Sequence, residues 1–153
     1  MAAIPAYDLG QVVSVLQHGL DQDFQAVVLE VGDGQDVQRA RALTAPAVIL
    51  VWSDGASADD QGRLVERIGV LLTLRDATAL AMDNASRGAK LRALLAASRV
   101  LLDGQRPPGA HPHWEKLRWT DGALHDLGEP TSLRHAWRDR YRATWQCPRG
   151  LSG

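Results

Sequence analysis

Leu64-Val65-Glu66-Arg67-Ile68-Gly69-Val70-Leu71-Leu72-Thr73-Leu74-Arg75 decides how the rest of this chain is read. One alternating set holds Leu64, Ile68, Val70, Leu72 and Leu74, with Glu66 as its only polar member. The other holds Val65, Arg67, Gly69, Leu71, Thr73 and Arg75. A period of two with one apolar side is the pattern of a strand with one face on a core. At about 3.3 Å per residue the strand is roughly 40 Å long, so it either bends or extends past its own domain. Downstream, Asp83 or Asn84 can cap a helix. Leu91, Leu94, Leu95, Ser98, Leu101 and Leu102 then recur at helical spacing, with Arg87, Lys90, Arg92 and Arg99 assigned to the other side. Gly104 and Pro107-Pro108 supply the stop. About 20 helical residues span roughly 30 Å, enough to cover a sheet of such strands.

Upstream of this pair, residues Tyr7 to Leu20 read as a first helix. Asp8 is its N-cap, Leu9, Val12, Val13, Leu16 and Leu20 form its apolar stripe, and Gly19 stands near its end. Gln25 to Val31 is a short strand closed by the turn signal Gly32-Asp33-Gly34. Asp36 to Leu43 reads as a short helix or an irregular connection. The nearly continuous apolar run Pro46 to Trp52 fits a strand covered on both faces, and so the sheet centre. Ser53 to Gly62, rich in Asp, Ser and Gly, is expected to be an exposed, mobile loop.

Beyond the long helix, Glu115 to Trp119 reads as a short strand, Thr120-Asp121-Gly122 as a turn, and Ala123 to Leu127 as the returning strand. Leu133 to Gln146 closes the fold. One alternating face carries Leu133, His135, Trp137, Tyr141, Ala143 and Trp145, interrupted by Asp139, and the other carries Arg134, Ala136, Arg138, Arg140, Arg142, Thr144 and Gln146. Aromatic alternation favours a strand there. Strands in succession with helices added predict an α+β fold, a mainly antiparallel sheet packed by two helices. Residues 1–147 are expected to form a single domain, with 148–153 a flexible tail.

Composition narrows the function. With 153 residues, 45% hydrophobic, the chain has one domain's worth of core. A formal net charge of −1 argues against a whole-chain electrostatic grip on nucleic acid. No run of apolar residues is long enough for a membrane span, and the first ten residues lack the pattern of a signal peptide. Cys147 is the single cysteine, so no internal disulfide is possible and a cytoplasmic setting is expected. Five tryptophans against one phenylalanine is unusual, and four of the five lie at or beyond Trp114.

Each chemical motif carries a plain alternative. His111-x-His113, with His125, His135 and Cys147 as further ligands, is the nearest approach to a metal site, but no second ligand pair stands at zinc spacing. The plain reading is solvated loop histidines. Cys147 with His135 is the one cysteine–histidine option for nucleophilic catalysis, beside Pro148 and near the C-terminus, where an attacking group is hard to preorganise. Ser57 and Ser86 lie in no nucleophile-elbow sequence. Gly32-Asp33-Gly34 lacks the later glycine and Lys-Ser/Thr of a phosphate loop, and Asp59-Asp60 reads as a turn. No catalytic, cofactor or metal residue is assigned. Arg134, Arg138, Arg140 and Arg142 project from one face and could meet phosphates or carboxylates. They equally fit a solvated face that deters edge pairing, or a subunit interface. Trp137, Tyr141 and Trp145, on the opposite face, fit a core or an interface.

The order of elements carries a resemblance. An N-terminal helix, a short strand and a Gly/Asp turn precede Ala45-Pro46-Ala47-Val48-Ile49-Leu50-Val51 and Ile68-Gly69-Val70-Leu71-Leu72-Thr73-Leu74-Arg75-Asp76. A helix of the form Leu91-Arg92-Ala93-Leu94-Leu95-x-x-x-Arg99-Val100-Leu101-Leu102-Asp103-Gly104 follows, with Pro107-Pro108-Gly109 behind it. A Leu117-Arg118-Trp119-Thr120-Asp121-Gly122-Ala123-Leu124 hairpin and a closing Trp137-Arg138-Asp139-Arg140-Tyr141-Arg142-Ala143-Thr144-Trp145 strand complete the series. Over residues 8–146 this resembles the tail terminator, or tail completion, proteins of tailed phages, in particular the Mu-like prophage small tail protein family also carried by contractile particles such as R-type pyocins. The likeness lies in element order and apolar spacing, not in an invariant motif. It implies a non-enzymatic structural protein without cofactors, forming a hexameric ring that caps the head-proximal end of the tail tube. Its partners would be the tail tube protein, with sheath and neck proteins, and DNA only as cargo through the ring. Assembly in host cytoplasm is implied. The alternatives are a neck or head–tail connector subunit and, in another class, a small nucleic-acid- or metal-binding module.

Overall fold

The structure, a computed structural model, describes residues 7–31, 45–74, 84–106, 113–124 and 135–145. Its elements are α1 (Leu9–Phe24), β1 (Ala26–Glu30), β2 (Ala47–Ala58), β3 (Leu64–Leu74), α2 (Asn84–Leu102), β4 (Arg118–Leu124) and β5 (His135–Thr144). The strands form one five-stranded sheet in the order β1-β2-β3-β5-β4, in which β1 and β2 pair in parallel and every other neighbour is antiparallel. The fold is α+β, as the element series predicts.

Both helices cover one face of this sheet. Val12, Leu16 and Leu20 of α1 and Leu91, Leu94, Leu95 and Leu102 of α2 meet Ile49 and Val51 of β2, Ile68, Val70, Leu72 and Leu74 of β3, and Tyr141 and Ala143 of β5 in a single buried cluster. The alternation in β3 therefore assigns its core face correctly. Glu66, the polar member of that face, is buried and accepts the backbone N–H of Tyr7 at 3.2 Å.

Several local expectations are corrected. α1 continues past Gly19 to Phe24, where Gln25 turns left-handed at φ 49° and its N–H reaches the Asp21 carbonyl at 2.8 Å. A Cβ on Gly19 would overlap the Leu101 side chain of α2, so this glycine marks a helix contact and not a helix end. The sheet centre is β3, not the Pro46–Trp52 run. That run lies in β2, whose core-facing residues are buried while Val48, Leu50 and Trp52 are half-buried on the other face. The expected loop at Ser53–Gly62 is strand as far as Ala58. A five-residue turn, Asp59 to Arg63, then leads into β3, and Ser53–Ala58 are exposed throughout.

Thr120-Asp121-Gly122 is not a hairpin turn either. β4 runs straight through it, with its register against β5 shifting between Trp119 and Asp121, so the extra residue is taken up as a bulge. Gly104, at φ 72°, does end α2. Gly32-Asp33-Gly34, Asp36–Leu43 and Cys147 with the tail lie outside the described residues.

Candidate interaction surface

The sheet face away from the helices is where the arginines collect. In β5, Arg138, Arg140 and Arg142 share that face, opposite the core-facing Trp137, Asp139, Tyr141 and Ala143. Arg142 is directly opposite Arg67 of β3 on one side and Arg118 of β4 on the other, so three guanidinium-bearing residues stand in one cross-strand row. Neighbouring strands lie about 4.8 Å apart, and like charges directly opposite each other oppose folding.

Few counter-charges meet this row. Arg67 donates from Nη1 to the Ser57 hydroxyl at 2.7 Å, and Arg140 Nη1 lies 3.8 Å from Asp121 Oδ2. Arg118, Arg138 and Arg142 have no carboxylate within ion-pair distance among the described residues. The Nε of Arg140 is buried without a hydrogen-bond partner. The same face continues across β3 and β2 as an apolar strip of Leu71, Leu50 and Trp52, each half-buried. There the Trp52 indole lies against Gly69, at a position where any Cβ would overlap it, and its Nε1 donates to Asp54 Oδ1 at 2.6 Å.

Of the residues singled out from sequence, Arg134 lies outside the described residues, while Arg138, Arg140 and Arg142 stand together as expected. The aromatic three lie on the helix-covered face. Tyr141 is buried in the core, and Trp137 and Trp145 pack at its margin. Trp145 meets Trp114 edge-on at 5.2 Å, Trp114 meets Tyr7 at 5.6 Å, and the His113 ring stands 5.4 Å from Trp145. His113 is therefore part of an aromatic stack. His111 and His125 lie outside the described residues. Arg67 and Arg118 were absent from the sequence-derived set, since only strand register brings them beside Arg142.

Two further polar clusters shape the molecule. Asp139, fully buried, accepts Nε and Nη2 of Arg99 at 2.8 and 2.9 Å and Nε1 of Trp137 at 2.7 Å. The hydrogen bond it donates to Asp139 holds the Arg99 guanidinium even more firmly charged than usual, and that guanidinium lies 4.7 Å from the centroid of Trp119. At the sheet margin, Gln17 caps β1 with both ends of its amide, donating to the Ala26 carbonyl at 2.8 Å and accepting from Val28 N–H at 2.9 Å. A side chain thus occupies backbone groups that would otherwise template another strand.

No protein-family model matches this chain, and no curated protein matches it.

Proposed function

We propose that this chain is a structural assembly protein of a phage or phage-like contractile tail, a ring-forming terminator that caps the head-proximal end of the tail tube and joins it to neck components. The observation that carries the reading is the over-long β2–β3 ladder. β1 covers β2 only as far as Val51, and the ladder runs on through Ala58 opposite Leu64 with Ser53–Ala58 exposed. An extended ladder standing clear of its own first strand suits contact with a neighbouring subunit. The described helices and strands follow the order on which the resemblance rests, apart from the hairpin expected at 117–124, which is a single strand, and the arginines of the open face suit a protein contact. The function asks for no catalytic residue.

Mass measurement and negative-stain imaging of the purified protein, alone and mixed with its tail tube protein, test this. Rings, or tubes capped at one end that no longer grow, are the expected result. A monodisperse monomer that leaves tube growth unchanged would sink the reading. The second reading is a small nucleic-acid-binding module that would use the arginine row, for which steeply salt-dependent DNA retention is the signature.

A further inference from the structure

We infer that the row Arg67–Arg142–Arg118, with Arg138 beside it, is a docking surface for a carboxylate-rich segment of a partner protein. Three strands each place an arginine at one register level on the open face. No fold requirement calls for this, because opposed like charges disfavour the sheet. A cost to the free chain that an oppositely charged partner relieves is the mark of a binding surface. Arginine is suited to it. Its planar fork grips carboxylates with two parallel hydrogen bonds, and its weaker hydration makes it easier to desolvate than lysine. Along β5, successive arginines on this face stand about 6.8 Å apart, the spacing of alternate side chains on any extended acidic segment.

The choice of a protein partner over nucleic acid rests on what surrounds the row. The face continues as Leu71, Leu50 and Trp52, an apolar flank of the kind found at protein interfaces. Trp52 is its single aromatic among the described residues, and that ring is spent on Gly69 and tethered to Asp54. Bases would find no stacking platform. The inference stands apart from the tail reading: a chain that caps no tube can still carry this surface.

The test is fluorescence anisotropy at low salt with two probes, a labelled oligo-glutamate peptide and a single-stranded oligodeoxynucleotide of equal charge. The protein is compared with the variant R67Q/R118Q/R142Q. The peptide is expected to bind the parent protein and to lose at least about tenfold in affinity with the variant, as removal of several charge-assisted contacts implies. The variant's Tm is expected to hold or to rise by about 1–3 °C as the opposed charges are removed. Tighter binding of the oligonucleotide, lost in the same variant, would overturn the inference in favour of nucleic acid. Peptide binding that is absent, or unchanged in the variant, would leave a solvated face. A fall in Tm would show that the arginines support the fold, removing the premise.

Discussion

At the scale of single residues, the sharpest feature is the buried carboxylate of Asp139. Taking an ion out of water costs several kcal/mol, and the bidentate Arg99 fork together with the Trp137 N–H offsets that cost. Gly122 is bare because a Cβ there would overlap both Asp139 and Trp137. Replacing Arg99 by Ala strands the carboxylate, and urea unfolding is expected to show a loss of about 3–5 kcal/mol. The double replacement Arg99→Met with Asp139→Leu is expected to recover most of it, since a well-packed apolar pair can substitute for a buried ion pair. A loss below about 1 kcal/mol for Arg99→Ala would mean that the pair is no more than a surface bridge. This network was half legible. Asp139 stands out in sequence as the interruption of an aromatic face, whereas Arg99 was assigned by its charge to the outer side of its helix. Its spacing, four after Leu95 and three before Leu102, places it on the inner stripe.

At the scale of elements, the side chain of Asp59 reinforces the backbone hydrogen bonds that close the β2–β3 hairpin. Asp59 Oδ1 accepts the backbone N–H groups of Gln61 and Arg63 at 2.9 and 2.8 Å, and Oδ2 accepts Arg63 Nε at 2.9 Å. The Arg63 backbone N–H, foremost, holds the carboxyl below its ordinary value of 3.8. A depressed folded-state value stabilises the turn fully above that ordinary value, and the contribution fades as acid protonates the folded group. Amide exchange at Gln61 and Arg63, corrected for the intrinsic effect of pH, is therefore expected to accelerate only as the pH falls below that ordinary value. Asp59→Asn should flatten this dependence, and identical profiles for the two proteins would count against the assignment. The sequence pattern predicts a loop where β2 continues, because Ser, Asp and Gly are turn formers in isolation. Here they extend a ladder that β3 dictates, with the irregularity absorbed by a register shift between Ser53 and Gly55. The same override turns Thr120-Asp121-Gly122 into a bulge.

At the scale of the whole molecule, the two tyrosines report on one core. Tyr7 and Tyr141 belong to the same buried cluster, and burial, foremost, pushes both phenols well above the ordinary value of 10.0. A raised folded-state value keeps its stabilising contribution below the unfolded value and loses it as pH climbs beyond. Spectrophotometric titration is expected to show no tyrosinate near pH 10, then ionisation of both rings in one step together with loss of tertiary structure. Since the chain has only two tyrosines, the signal is unambiguous. A phenol that titrates at its ordinary value while the fold persists would show that its end of the cluster opens independently.

What the amino-acid sequence determined by itself is the fold class and the two faces of its long strands. Alternation in Leu64–Leu74 and His135–Thr144 separates core from open side without reference to any neighbour, because side-chain direction in a strand is set locally. The helical stripes are local in the same sense. Tertiary structure alone decided which strands adjoin, and so which arginines meet. Arg67, Arg118 and Arg142 are far apart in sequence, and their row exists only because β5 inserts between β3 and β4 at one particular register. Pairing register is a property of two strands at once, and no single segment encodes it.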